Sequence, residues 1–154
     1  MKKKLYVDMD GVLVDFKSGI DRLTEWERRE YEGRYDDCPG IFARMEPMPG
    51  AVEGFKELAK HYDIYILSTS PWKNPTAPSD KLAWVKKHFG DGPDSPAYKR
   101  LILSHHKGLN KGEFIIDDRD KHGVAEFGDG HIHFRTDPRF PDWRTVVEHL
   151  IPLA

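Results

Sequence analysis

The polar residues best suited to chemistry stand where short apolar runs end. Asp8 and Asp10 follow Leu5-Tyr6-Val7, and Ser68, Thr69 and Ser70 follow Ile64-Tyr65-Ile66-Leu67. His105, His106 and Lys107 follow Leu101-Ile102-Leu103-Ser104, and Asp117, Asp118 and Arg119 follow Phe114-Ile115-Ile116. Two acid pairs from different runs form a hard, oxygen-rich donor set. Such a set suits Mg²⁺, which takes a few carboxylates together with water and substrate phosphate. Four carboxylates alone would repel each other and any phosphate. A metal ion and Lys107 offset that repulsion and stabilise charge on a transferring phosphoryl group, and one carboxylate can then be the nucleophile. Taken singly, Asp8 and Asp10 read as turn or capping aspartates. Their coincidence with Thr69, Lys107 and Asp117-Asp118 at run ends favours the chemical reading.

For these residues to meet, the apolar runs must be neighbouring strands, because open parallel sheets bind ligands beyond the carboxyl ends of their strands. Residues 4–8, 63–67, 101–104 and 114–117 read as short buried strands, with Ile132 and Phe134 marking a weaker fifth. Between them lie helical patterns. Val52, Phe55, Leu58, Ala59 and Tyr62 share a face after Pro49-Gly50; Leu82, Val85 and Phe89 share another, with Asp80 or Ser79 as cap and Gly90 at the end. Trp143, Val146, Val147 and Leu150 line a last helix starting near Asp142. The alternation predicts an α/β fold, a doubly wound parallel sheet with helices on both faces. Gly11 marks where the chain turns after the first strand. From Phe16 to Glu46 the pattern changes to charge and aromatics, with one loose helical stripe through Ile20, Leu23, Trp26 and Tyr31, broken by Cys38-Pro39-Gly40.

The chain has 154 residues, enough for one domain with a sizeable core and short for two. Its 38% hydrophobic and 32% charged content excludes disordered, collagenous and membrane-spanning classes. A net charge of -2 gives no basic field for a nucleic acid polymer or an anionic membrane. A single cysteine, Cys38, forms no intrachain disulfide, which points to a reducing, cytoplasmic setting. His105-His106 and His131-x-His133 have no Cys companions, so zinc is disfavoured. Trp26, Tyr31, Tyr35 and Phe42 are of a type to stack on a nucleobase, and packing within residues 16–46 is an equal reading.

In order along the chain, Asp8-Met9-Asp10-Gly11-Val12, Thr69, Lys107 and Asp117-Asp118 resemble the four motifs of the haloacid dehalogenase superfamily of phosphotransferases. Longer blocks are similar to the 5′(3′)-deoxyribonucleotidases. These are residues 8–16 and 46–53, Thr69-Ser70-Pro71, and Lys107 ten residues before Asp117-Asp118-Arg119; with Ala83-Trp84-Val85 they span residues 5–120. The resemblance implies a Rossmann-like haloacid-dehalogenase core at 1–15 and 47–154, with a small helical cap at 16–46 inserted after the first strand. It further implies that Asp8 attacks phosphorus and that Asp10 protonates the leaving alcohol. Mg²⁺ would be held by the Asp8 carboxylate, the Asp10 backbone carbonyl and Asp118, with Asp117 in support. Thr69 and Ser70 would bind phosphoryl oxygens and Lys107 would neutralise their charge. Lys73 and Lys81 flank a loop that helps bind the substrate phosphate, and Phe16 and Phe42 match aromatic positions of the nucleoside pocket. Two departures stand out: the cap is short, and His105 replaces an arginine of the family's pattern.

The expected function is therefore Mg²⁺-dependent hydrolysis of nucleoside 5′- or 3′-monophosphates through an aspartyl phosphate. The alternative is a phosphatase for a sugar phosphate or another small phosphorylated metabolite. A receiver-like phosphoacceptor domain is further away, because receivers carry the adjacent acid pair first and the lone acceptor later, the reverse of the order here. The expected partner is a small phosphomonoester; assembly as a homodimer stays open.

Overall fold

The computed structural model describes residues 1–154. Strand β1 (Lys4–Val7) leads through a tight turn to β2 (Val14–Asp15), which pairs antiparallel with β3 (Glu46–Pro47). Strands β4 (Asp63–Ser68), β5 (Leu101–Leu103), β6 (Phe114–Asp117) and β7 (His131–His133) join β1 in one all-parallel sheet of order β5-β4-β1-β6-β7. The β2–β3 ribbon closes the neck of residues 16–46. Within them lie α1 (Phe16–Asp21), α2 (Glu25–Glu30) and two 3₁₀ turns, at Tyr35–Asp37 and Ile41–Arg44. Helices α3 (Ala51–Leu58), α4 (Ala77–Phe89) and α5 (Trp143–Leu150) complete the chain's regular structure. None is long and apolar enough to cross a membrane.

Alternation along each strand divides the core between two faces. Leu5, Val7, Ile64, Ile66 and Ile116 point to the larger face, where α3, α4 and α5 bury Phe55, Leu58, Trp84, Val85, Trp143 and Leu150. Tyr6, Leu67 and Ile115 point to the other and meet Val124 in a much smaller cluster. That second face is covered by 3₁₀ segments at Lys107–Leu109 and Val124–Gly130 in place of the expected α-helices. The reason is local: residues 104–130 hold Gly108, Gly112, Gly123, Gly128 and Gly130 and no apolar helical stripe.

Residues 16–46 differ from the single loose helix expected. Thr24 and Glu27 form a reciprocal capping box, which starts α2 afresh and separates it from α1. This region shares the main core, through Leu23, Ile41, Phe42 and Met45. Polar clamps reinforce that join. Asn74 donates to the carbonyls of Asp36 and Cys38, both at 2.9 Å; Thr76 accepts from the Gly40 N–H at 2.8 Å; and the Trp84 indole donates to Met45 at 2.9 Å.

Candidate active site

Four parallel strands end at one edge, and each delivers a polar residue there. The Asp8 N–H donates to the Ile116 carbonyl at 2.9 Å, which holds the end of β1 beside β6. Beyond it, the N–H groups of Val12, Leu13 and Val14 converge on the Met9 carbonyl, and Gly11 sits at φ +80°. A Cβ on Gly11 would fall 2.2 Å from Asp118 Oδ2. A side chain here would be strained by the positive φ and would push the Asp118 carboxylate aside, so glycine lets the loop after β1 lie against the acid pair after β6. Lys107 arrives from the connection between β5 and β6. Its backbone N–H donates to the His122 carbonyl at 2.6 Å, and His122 is itself held at φ +58°, a costly conformation for a non-glycine residue.

Lys107 Nζ lies 2.9 Å from Asp8 Oδ1 and 2.7 Å from Asp117 Oδ2, and all three residues are buried. The other Asp117 oxygen accepts from the Arg119 N–H at 3.0 Å, so Asp117 is fully engaged. Asp118 is not: its Oδ1 is buried without a hydrogen-bond partner. Burial pushes the Asp8 carboxyl up to about 7, with Asp117 and Asp10 adding repulsion against the opposing pull of Lys107. Burial followed by Asp8 raises Asp118 to about 6. Burial works against the Lys107 charge, but Asp8 and Asp117 outweigh it and raise its pKa. Carboxylate oxygens of Asp8, Asp117 and Asp118 all lie within 4.8 Å of one another. Oxygen-only donors, an orphaned carboxylate oxygen and acids pushed towards their neutral forms together fit a hard divalent cation.

These groups open into a cleft of about 450 Å³ whose walls include Asp8, Asp10, Thr69, Lys107 and Asp117. The Thr69 hydroxyl donates to the Ser104 carbonyl at 2.9 Å, and Ser70, expected to bind a phosphoryl oxygen, is half-buried and does not line the cleft. Lys73 is exposed and lines the cleft. Three other expected substrate contacts are placed elsewhere. Phe42 is only 2% exposed, and Phe16 packs edge-on against it at 6.1 Å; neither lines the cleft, because both complete the core beneath the cap. Lys81 is fully buried, its Nζ donating to Asp10 Oδ2 at 3.1 Å, Ser68 Oγ at 2.6 Å and the Thr69 carbonyl at 3.1 Å. An ammonium has three donors, and none of these remains for a phosphate.

Sequence reasoning missed several residues of the cleft. Trp72 lines it while 88% exposed, its ring edge-to-face with His105 at 5.7 Å. Its position three residues after Thr69, in the loop leaving a strand end, was the available signal. Asp36 and Asp37 are the part of the wall contributed by residues 16–46, and Arg119 and Lys121 line the same cleft. His131 donates support from below, its Nε2 3.0 Å from the Asp117 carbonyl.

Comparisons with known proteins give the chain's family. A family model described as "5′ nucleotidase, deoxy (Pyrimidine), cytosolic type C protein" matches residues 16–141. A protein of Vibrio phage KVP40, named as a candidate 5′(3′)-deoxyribonucleotidase, is 60% identical over 97% of this chain and 85% of its own. The mitochondrial 5′(3′)-deoxyribonucleotidase of Mus musculus is 34% identical over 75% of this chain, which spans 64% of that longer protein. Among solved structures, a candidate haloacid dehalogenase-like hydrolase from Burkholderia xenovorans superposes with a TM-score of 0.49 at 12% identity, over 92% of this chain and 89% of that one.

Proposed function

The chain belongs to the cytosolic type C 5′-nucleotidase family of haloacid dehalogenase-like phosphoric monoester hydrolases, and from that premise we propose that it hydrolyses nucleoside monophosphates, deoxyribonucleotides among them, through an aspartyl phosphate on Asp8. The observation that carries this reading is the junction of Lys107 with Asp8 at 2.9 Å in a cleft shared with Asp10 and Thr69.

In the first step an Asp8 oxygen bonds phosphorus as the bond from phosphorus to the nucleoside oxygen breaks. The leaving oxygen keeps the electron pair and takes a proton from Asp10. In the second, a water oxygen bonds phosphorus, its proton passes to Asp10, and the Asp8–phosphorus bond breaks. Both residues return to their starting forms. Lys107 neutralises phosphoryl charge beside Asp8, and the Thr69 hydroxyl, which donates to the Ser104 carbonyl here, would turn to an equatorial oxygen when substrate binds, with Ser70 following it in sequence. Mg²⁺ held by Asp8, Asp118 and the Asp10 backbone carbonyl, with Asp117 in support, would supply further charge neutralisation at the phosphoryl oxygens. Asp117 is better suited to orienting Lys107, since both its oxygens already have partners.

Trp72 supports a nucleoside as the leaving group, because an exposed indole on the cleft wall offers a face to any base. The sugar-phosphate reading has its own support in Asp36 and Asp37, since carboxylates on the cap wall suit hydroxyl-rich leaving groups. A phosphate-release panel with and without Mg²⁺ separates them. Turnover of deoxyribo- or ribonucleoside monophosphates that requires Mg²⁺ supports the proposal. Release only from sugar phosphates overturns the nucleotide assignment and leaves the hydrolase intact.

A further inference from the structure

Lys81 stands on α4, outside the strand-end motifs in sequence, and it is one of the largest fully buried side chains in the molecule. Burying an ammonium is costly unless acceptors surround it, and here three do. Two belong to the end of β4, Ser68 Oγ at 2.6 Å and the Thr69 carbonyl at 3.1 Å; the third is Asp10 Oδ2 at 3.1 Å. The Phe42 ring of the cap lies against the same ammonium, its centroid 4.4 Å from Nζ. The two Asp10 oxygens are thus unequal. Oδ2 is tied to α4, whereas Oδ1 is buried without any hydrogen-bond partner. A buried carboxylate oxygen left unpaired carries an uncompensated desolvation cost, which calls for a functional account.

We propose that Lys81 is a positioning residue: by holding Asp10 Oδ2 it fixes the orientation of the carboxyl group that passes a proton to the leaving group and recovers one from water. This inference rests on the hydrolase reading above. A planar carboxylate held at one oxygen by an immobile ammonium cannot turn about its Cβ–Cγ bond without breaking that link. The same ammonium touches Phe42, so seating of the cap and aim of the proton donor share one side chain. Lys81 acts through Asp10 and touches no reacting atom.

The test uses leaving groups that differ in their need for a proton. A nucleoside leaves as an alkoxide and requires one; p-nitrophenolate does not. The value to compare is kcat/KM, which reports phosphoryl transfer to Asp8 and not the later hydrolysis. For Lys81→Met we expect kcat/KM to fall about 100-fold with a nucleoside monophosphate and no more than a few-fold with p-nitrophenyl phosphate, given the usual size of general acid catalysis. Equal losses on both substrates would mean phosphate binding or general support, and would overturn the inference. In an Asp10→Asn background, adding Lys81→Met should cost nothing further on the nucleotide; a full additional loss also overturns it. Should Lys81→Met lose its cooperative thermal transition, Ser68→Ala decides instead. It removes one Lys81 acceptor and should show the same split between substrates at roughly 5-fold, and no split counts against the proposal. If the wild-type protein releases phosphate from neither substrate, the hydrolase reading itself fails, an outcome distinct from equal losses in the variant.

Discussion

The sheet edge and the cap are built by opposite rules. At the edge, backbone geometry decides: Asp8, Thr69 and Asp117 occupy strand ends that can only face one side, and the Gly11 turn brings Asp118 to them. Charge there is concentrated and buried. In residues 16–46, packing decides. Phe42 turns inward to the core, Trp26 is 62% exposed and outside the cleft lining, and the part of the cleft wall these residues supply is Asp36 and Asp37. Its charges pair with each other, as Arg44 does with Glu27 at 2.8 Å. The comparison teaches that chemistry belongs to positions the fold cannot rearrange, and that an aromatic-rich segment is no guarantee of an aromatic-lined pocket.

The comparison breaks most directly at Asp8. Asp8→Asn should lower turnover at least 10⁴-fold while leaving the thermal transition in place, since the replacement is nearly isosteric. Circular dichroism and phosphate release measured on one preparation check this. Retained activity would mean that the edge is not the reactive region.

Two glycines with almost the same φ separate the two regions next. Gly11 has φ +80° with Asp118 at its open face, and Gly33 has φ +79° with nothing within 4 Å. Gly11→Ala adds displacement of the Asp118 carboxylate to the conformational strain, so it should cost about 1–2 kcal/mol of stability and lower the rate of phosphate release. Gly33→Ala carries the strain alone, about 1 kcal/mol, and should leave kcat/KM unchanged. Denaturant titration of both variants beside Mg²⁺-dependent rates tests the pair; equal effects on activity would contradict the assigned turn.

Tryptophans supply the third contrast. Removing a stacking face costs about 1–3 kcal/mol per base, so Trp72→Ala should reduce kcat/KM for a nucleoside monophosphate about 10-fold or more. It should leave deoxyribose 5-phosphate, which has no base, within twofold of wild type. Trp26→Ala, exposed but outside the cleft, should change neither. A Trp72 effect of the same size on both substrates would remove the base-stacking role.

What the sequence revealed follows the same divide. Asp8, Asp10, Thr69, Lys107 and Asp117-Asp118 were visible because an apolar run ending in a polar residue is a local pattern, and a parallel sheet collects such ends. Lys81 was visible as a lysine but not as a buried one: its surroundings come from β1, β4 and the cap, which only tertiary structure assembles. Phe42 was misplaced for the same reason, since nothing within residues 16–46 says which aromatic turns inward. Trp72 was a legible signal in the loop after β4, and the Thr24–Glu27 capping box was another, outweighing the weak helical stripe drawn through Leu23 and Trp26. The 3₁₀ cover of the second face was foreshadowed by its glycines.

The smallest effect belongs to Glu27, the hub of the cap. It receives the Arg44 guanidinium at 2.8 and 3.1 Å and the Thr24 N–H at 2.9 Å. Those hydrogen bonds, the Arg44 pair foremost, hold its carboxyl down at about 2, below the ordinary 4.5. A carboxyl depressed in the folded state stabilises it at neutral pH, and that contribution is lost as pH falls from about 4.5 towards 2. Glu27→Gln keeps an acceptor for the capping box and removes the charge, so it should cost about 1 kcal/mol at pH 7. The gap between wild type and variant should stay level above pH 5 and close on the way to pH 2, as followed by urea unfolding at each pH. A gap that persists at pH 2 would show that Glu27 supports the cap by packing and not by charge. Activity at 25 °C should be unchanged in either case, because Glu27 lines no part of the cleft.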